Sequence, residues 1–430
     1  MRTRSRNRIE SGRVSMTEAV PRIGRSAPAT TGTGGNGIRG ANRRRVALLS
    51  AALLLPLLLG GCWDRTEVND IAIVMATGVD KEKDGYRISV IIPLPGNMGG
   101  ASGGGGGSGG QAPYTIDSEK GRTLREANAR LQSRLSRRLF YAHRKVLLIG
   151  EELAKEGLVE VMDITARVAE NRLTSYMAVT KGKAYDVLNA SPKLERFSSE
   201  AMRELLKSDN TIQVQVKDVV IRMSGEGQDA ILPYVEVIRS EGTKKPSEEL
   251  QISGFAYTRN GKMVGVAKGD EANGMRWLTE SFNPYVETVE MKNGLVSLIV
   301  RRGESAIRPS VVGGKIRYRI RAEGEATILE AQDGNEYEHE RNIERLEEQL
   351  EKKIREDMAA AMRVVKTDRS DFPGFGVVLK RTFPGRWRDE WRREWETAIR
   401  DVEPEYEVNM VVNRTGMFSK NVGLKERDHE

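Results

Sequence analysis

Apolar positions recur along this chain with two periods, and the switches between them predict its elements. Runs rich in β-branched residues predict strands at Ile71–Val79 and Tyr86–Ile92. A turn over Asp80–Gly85 joins these into a hairpin, which Pro93 and Pro95 stop. A helix over Thr123–Ser136 puts Leu124, Ala127, Leu131 and Leu135 on one face. Leu139–Ile149 reads as a strand containing His143, Glu151–Glu170 as a helix, Ser175–Thr180 as a strand, and Lys183–Asn189 and Phe197–Lys207 as helices. Val216–Met223 and Ile231–Ile238 follow as strands. Asn260-Gly261, between Ile252–Tyr257 and Met263–Ala267, supplies the φ > 0 residues of a tight hairpin turn. A helix from Asp270 through Ser281 leads to strands at Tyr285–Met291, Leu295–Val300 and Lys315–Leu329. Over Tyr337–Lys366, Ile343, Leu346, Leu350, Ile354, Met358, Ala361 and Val365 recur every three or four residues, so this helix buries one face and wets a charged one. Glu405–Asn413 closes the chain as a strand.

These elements predict an α+β fold: a multi-domain mixed α/β chain with antiparallel-rich sheets and a long amphipathic helix in its C-terminal domain. The expected divisions are a leader over 1–61, an N-terminal α+β domain over 62–190, a middle region over 191–245 and a C-terminal α+β domain over 246–430. Gly242–Glu249, polar and containing Pro246, marks the last division. Residues 96–110 hold 10 Gly in 15 positions and read as a flexible insertion, because no helix starts directly after them to make a phosphate loop.

At 430 residues the chain is long enough for two or three cores. Its net charge of +8 is uneven. Residues 1–61 carry 11 Arg, no Lys and 2 Glu, and the remaining 369 residues carry 58 cationic against 59 acidic side chains. The basicity therefore belongs to the leader, and the folded part has no footprint for nucleic acid.

Arg43, Arg44 and Arg45 precede an apolar run from Val46 to Leu59. Its 14 residues are too few to span a bilayer and suit the hydrophobic region of a signal peptide. The run ends Leu59-Gly60-Gly61-Cys62, which resembles a bacterial lipobox. Cys62 is the sole cysteine, so no internal disulfide is possible. As a lipobox residue it would carry diacylglycerol through a thioether and become the new N-terminus, held by its acyl chains. An uncleaved anchor or a buried free thiol is the plainer alternative.

The chain lacks the motifs of a P-loop, a nucleophile elbow or a zincin. His143, His339 and His429 are far apart and predict no metal site. No cofactor is expected and no catalytic residue stands out. Asp163, on an apolar helix, and Arg167, one turn later, are a candidate buried or half-buried structural ion pair that Arg172 could join, with a ligand clamp as the alternative. Trp387, Trp391 and Trp395 recur every four residues among Arg386, Arg388, Arg392 and Arg393. The stripe is either a core face or a partner-binding interface.

Four stretches are similar to the Ger(x)C lipoproteins, the C subunits of spore germinant receptors. Cys62-Trp63-Asp64, Glu67, Asn69-Asp70 and Gly78-Val79-Asp80 resemble that family's mature N-terminus. His143 to Arg172, "HRKVLLIGEELAKEGLVEVMDITARVAENR", looks like its N-terminal signature. "ISGFAYTRNGKMVGVAKGDEANGMRWL" and "TDRSDFPGFG" look like its C-terminal domain. The resemblance implies a three-domain mixed α/β protein without enzymatic activity. It also implies an anchor through Cys62 to the outer face of the inner spore membrane, and work beside A- and B-type integral membrane subunits in a nutrient response. A solute-binding lipoprotein of a transporter shares the anchor and is the alternative; an envelope hydrolase using paired carboxylates is a third reading.

Overall fold

The computed structural model describes residues 67–94, 112–168, 170–195, 197–242, 246–279 and 282–413. The leader, Cys62 and the glycine-rich insertion lie outside the described residues.

The first part runs β1 (Ile71–Ile73), β2 (Ala76–Glu82), β3 (Gly85–Pro93), β4 (Tyr114–Gly121), α1 (Leu124–Arg134), β5 (Arg138–Phe140), β6 (Val146–Gly150), α2 (Glu151–Glu156), α3 (Val159–Arg167) and β7 (Tyr176–Thr180). It continues α4 (Ala184–Asn189), α5 (Ser198–Lys207), α6 (Val216–Ser224), β8 (Ile231–Arg239), β9 (Glu248–Arg259) and β10 (Lys262–Ala267). Eight strands make one sheet in the order β10-β9-β8-β7-β6-β2-β3-β4. Its centre, β8-β7-β6-β2, is parallel and both flanks are antiparallel. A parallel centre must be covered on both faces. Ile88, Leu147, Ile149 and Val179 pack with α1 and α3 on one face, and Ile91, Val146, Leu148 and Ala178 with α4 and α5 on the other.

The second part is α7 (Asp270–Leu278), β11 (Tyr285–Met291), β12 (Gly294–Val312), β13 (Lys315–Ala331), α8 (Glu340–Asp368), α9 (Phe375–Thr382), short turns over 384–401 and β14 (Glu403–Asn413). Its four-stranded sheet has the order β11-β12-β13-β14, with β14 parallel to β13. Gly313 and Gly314 take φ of +58° and +83° at the tip of the long β12–β13 hairpin. The apolar stripe of α8 is buried from Leu346 to Val365, as its periodicity predicts, and α7 crosses it. At the crossing a Cβ on Gly274 would lie 2.0 Å from the Asp357 carbonyl oxygen, so the two backbones touch.

Several expectations are corrected. Val216–Met223 is helical, not extended: Val216 and Val219 are buried with Val220 and Met223 beside them, a helical spacing that the β-branched composition hides. Gln215 and Asp218 form a reciprocal capping box at its start. The strand expected over Leu139–Ile149 breaks into β5 and β6, and His143 is exposed in the turn between them. The helix expected over Glu151–Glu170 is cut at Gly157, whose φ is +149°. The polar edge strand β4 has no apolar pattern to announce it. β8 and β9, which flank the expected division on either side, pair antiparallel, so the eight-stranded sheet draws strands from all three expected segments of the folded chain.

Candidate functional site

Each stretch that carries the family resemblance has a definable job in the fold. Gly78 lies against α4, where a Cβ would come within 2.9 Å of Leu188 Cδ1. Asp80 is buried and caps the same helix, accepting from the backbone N–H of Ala184 (2.6 Å) and Tyr185 (3.0 Å). Burial pushes its carboxyl up, opposed by those two bonds. The N-terminal motif thus fixes a helix against the sheet.

The segment "TDRSDFPGFG" is a joint between the two parts. Arg369 and Gly374 take left-handed backbone (φ +57° and +76°), which turns the chain sharply between α8 and α9. Asp371, fully inside, accepts from Phe375 N (2.7 Å), Gly376 N (2.8 Å) and Trp395 Nε1 (2.8 Å). Asp229, on the approach to β8, accepts from Asp371 N (2.8 Å) and Asn260 N (2.9 Å). Its own N–H donates to the Asp371 carbonyl (2.8 Å). Ser370 Oγ donates to the Thr258 carbonyl (2.6 Å) and Arg222 Nη1 to that of Phe372 (2.8 Å). Burial raises Asp371 to about 7 against the pull of its three donors, and raises Asp229 too.

The tryptophan stripe belongs to this joint and corrects the interface reading. Trp387, Trp391 and Trp395 are 2%, 8% and 8% exposed. The Trp387 and Trp395 rings pack at a tilt of 57° with centroids 5.3 Å apart, and Trp391 lies under the Arg386 guanidinium at 4.6 Å. Gly376 fits beneath them because it has no side chain: a Cβ would sit 2.5 Å from Gly227 Cα and 2.8 Å from Trp387.

Asp163 and Arg167 do pair, with both carboxylate oxygens 2.8 Å from Nε, on an exposed helix face that Arg172 does not join. A second carboxyl pair lies at the α7–α8 crossing. Glu287 and Asp357 are buried side by side, with Asn273 Nδ2 donating to Glu287 (3.1 Å) and Lys353 Nζ bridging Asp357 and Asp270 (2.7 Å each). Burial raises both carboxyls, and Asp357 Oδ2 has no hydrogen-bond donor. Among the described residues no cluster of His, Cys, Asp and Glu could hold a metal ion.

A cavity of about 70 Å³ remains between the sheet and helices α1 and α3, partly open to solvent. Its walls include Val79, Ile88, Leu147 and Ile164, and no acidic residue. Arg144, 5% exposed, borders it, and Nε and Nη2 of its guanidinium have no hydrogen-bond partner. Thr77 Oγ1, in the same wall, is also unpartnered. Tyr141 donates to Asn128 Oδ1 across the rim. Sequence reasoning passed over Arg144, because a cation within a basic, apolar stretch gives no sign of being buried alone.

Comparison with known proteins matches two family models in tandem: "Spore germination protein N-terminal domain" over residues 64–237 and "Spore germination B3/GerAC like, C-terminal" over 253–416. Putative spore germination protein YfkR of Bacillus subtilis (strain 168) is 30% identical over 86% of this chain and 97% of its own length. Spore germination protein KC of the same organism is 26% identical over 89% of this chain and 99% of its own. The crystal structure of the GerBC protein superposes with a TM-score of 0.51 at 18% identity, covering 78% of this chain and 96% of that one, and so shares the fold. With both domain models in order and a relative that matches along nearly its whole length, this chain belongs to the Ger(x)C family of spore germination proteins.

Proposed function

We propose that this protein is a lipid-anchored, non-enzymatic C subunit of a spore germinant receptor, working beside two integral membrane subunits, A and B, in the response to nutrients. The observation that carries the reading is the position of the family match, which begins at residue 64, immediately after Cys62 in its lipobox-like context. Lipid on Cys62 would hold a nearly neutral body at the outer face of the inner spore membrane; among the described residues no helix is long and apolar enough to cross one. The solute-binding alternative expects two similar lobes about a cleft. The described residues instead form one eight-stranded sheet, one four-stranded sheet and a two-stranded pair, β1 with β5.

The test is Cys62→Ala in the native host. Mass spectrometry of the wild-type protein should find Cys62 N-terminal and diacylated. The variant should lose nutrient-triggered germination and co-purification with the two membrane subunits. A bare thiol with the leader attached, or normal germination by the variant at normal receptor levels, would refute the anchored-subunit reading.

A further inference from the structure

We propose that the cavity between β2, β3, β6 and helices α1 and α3 is a binding site for a small apolar monocarboxylate, whose carboxylate pairs with Arg144 and whose hydrocarbon body fills the space against Val79, Ile88, Leu147 and Ile164. Three observations carry this.

First, Arg144 is buried without a counter-ion. Its electrostatic partner is Tyr141, another wall residue, and no carboxylate. Burial pulls it down to about 10, which still leaves it cationic at neutral pH. An unpaired buried cation is costly unless something supplies the opposite charge. A planar guanidinium is best matched by a bidentate carboxylate.

Second, the orphaned donors and the empty space coincide. Nε and Nη2 of Arg144 and the hydroxyl of Thr77 are buried polar atoms without partners, and both residues border the cavity. Buried donors in folded proteins are nearly always satisfied, so three such atoms around one space indicate a ligand acceptor there. A carboxylate has enough lone pairs for all three.

Third, the wall chemistry selects the body of the ligand. Branched apolar side chains line most of the space, Arg125, Asn128, Thr165 and Asn171 add polar groups to its wall, and no Asp or Glu does. A zwitterionic amino acid would bring an ammonium group with no acidic partner, at a desolvation cost. Inorganic phosphate would bring no hydrocarbon to cover Val79, Ile88, Leu147 and Ile164. A short branched-chain acid satisfies both ends. Arg144 also borders a second hollow with Lys145, Arg172, Arg203 and Lys207, which makes the approach cationic and draws anions toward it.

The inference does not depend on membership of a receptor complex, because binding is read on the purified full chain. The probe is 4-methylpentanoate, measured by calorimetry and by thermal unfolding at about 10 mM ligand, with a dissociation constant expected below about 1 mM for a small ligand in a preformed pocket. The uncharged 4-methylpentanamide, L-leucine and inorganic phosphate should each bind at least ten-fold more weakly. Arg144→Met should keep its fold by circular dichroism, since it removes an unpaired charge at similar length, and should lose binding of the acid. Arg144→Lys, which keeps the charge without the fork, should weaken it about ten-fold. Ile164→Trp, which fills the space and leaves Arg144 in place, should also abolish binding. No heat or thermal shift with 4-methylpentanoate, equal binding of the amide, leucine or phosphate, or undiminished binding by Arg144→Met would each overturn the proposal.

Discussion

Replacing Asp371 with Asn should change how stability depends on pH, and the structure sets the size of the effect. Asp371 is enclosed, and burial moves its carboxyl from the ordinary 3.8 to about 7. The raised value means that the folded protein holds a proton the unfolded chain releases. That stabilising contribution is complete below the unfolded value and is lost as pH rises through the folded one. Between pH 5 and 7 the slope approaches 1.4 kcal/mol per pH unit, and the total loss from pH 5 to 8 is about 3 kcal/mol. Asn cannot ionise, so the variant lacks this slope. It also lacks an acceptor: an amide nitrogen facing either Phe375 N–H or the Gly376 and Trp395 donors leaves at least one buried N–H unsatisfied, worth about 1–3 kcal/mol. A protonated carboxyl keeps a lone pair on both oxygens and avoids that cost. The variant should therefore be less stable than wild type at pH 5 by about 1–3 kcal/mol, with the gap closing or reversing by pH 8. Urea unfolding followed by tryptophan fluorescence at pH 5, 6, 7 and 8 measures this, because Trp395 donates directly to the substituted side chain. The Glu287–Asp357 pair titrates in both proteins and drops out of the difference. Parallel stability curves over this range would refute the assignment of a retained proton to Asp371.

Two further substitutions separate the joint from the surface. Gly376→Ala places a methyl 2.5 Å from Gly227 Cα, where backbone must shift, and should cost about 1–3 kcal/mol in the same urea assay; a loss within error of zero would show that the contact is soft. Asp163→Ala breaks an exposed pair within one helix and should leave the urea midpoint within error of wild type; a clear loss would mean that the pair is coupled to something beyond its own turn.

The fold was legible wherever a single physical signal dominated. The period of α8 predicts both its existence and its buried face. Asn260-Gly261 predicts the β9–β10 turn, and Asn260 does adopt φ +52°. The errors lie where two signals competed. In α6, β-branched propensity argued for a strand while the spacing of Val216, Val219, Val220 and Met223 argued for a helix, and packing decided for the latter. The site was less legible because burial, not residue type, gives its groups their character. Asp371, Glu287 and Asp357 are three acids among 61 in the sequence, and their burial is not written in residue type or spacing. The tryptophan stripe was readable as a face, but its sequence could not say which side of that face was wet.

The halves of the family signature are not halves of the structure. The first match ends at 237, inside β8, and the second begins at 253, inside β9. These two strands are hydrogen-bonded neighbours from Ile231–Tyr257 to Arg239–Glu248. A chain cut between them would expose an unpaired strand edge on each piece and strip β9 and β10 from the sheet. The Asp229–Asp371 joint reinforces the same connection from the other direction, because its residues come from the approach to β8, the β9–β10 turn and the start of α9. Two acids whose carboxyls burial makes reluctant to ionise are an expensive way to join surfaces unless the geometry they impose is required. Here it orients the α8–α9 turn and the packed tryptophans against one end of the sheet, so the C-terminal part is seated by directional bonds as well as by apolar contact.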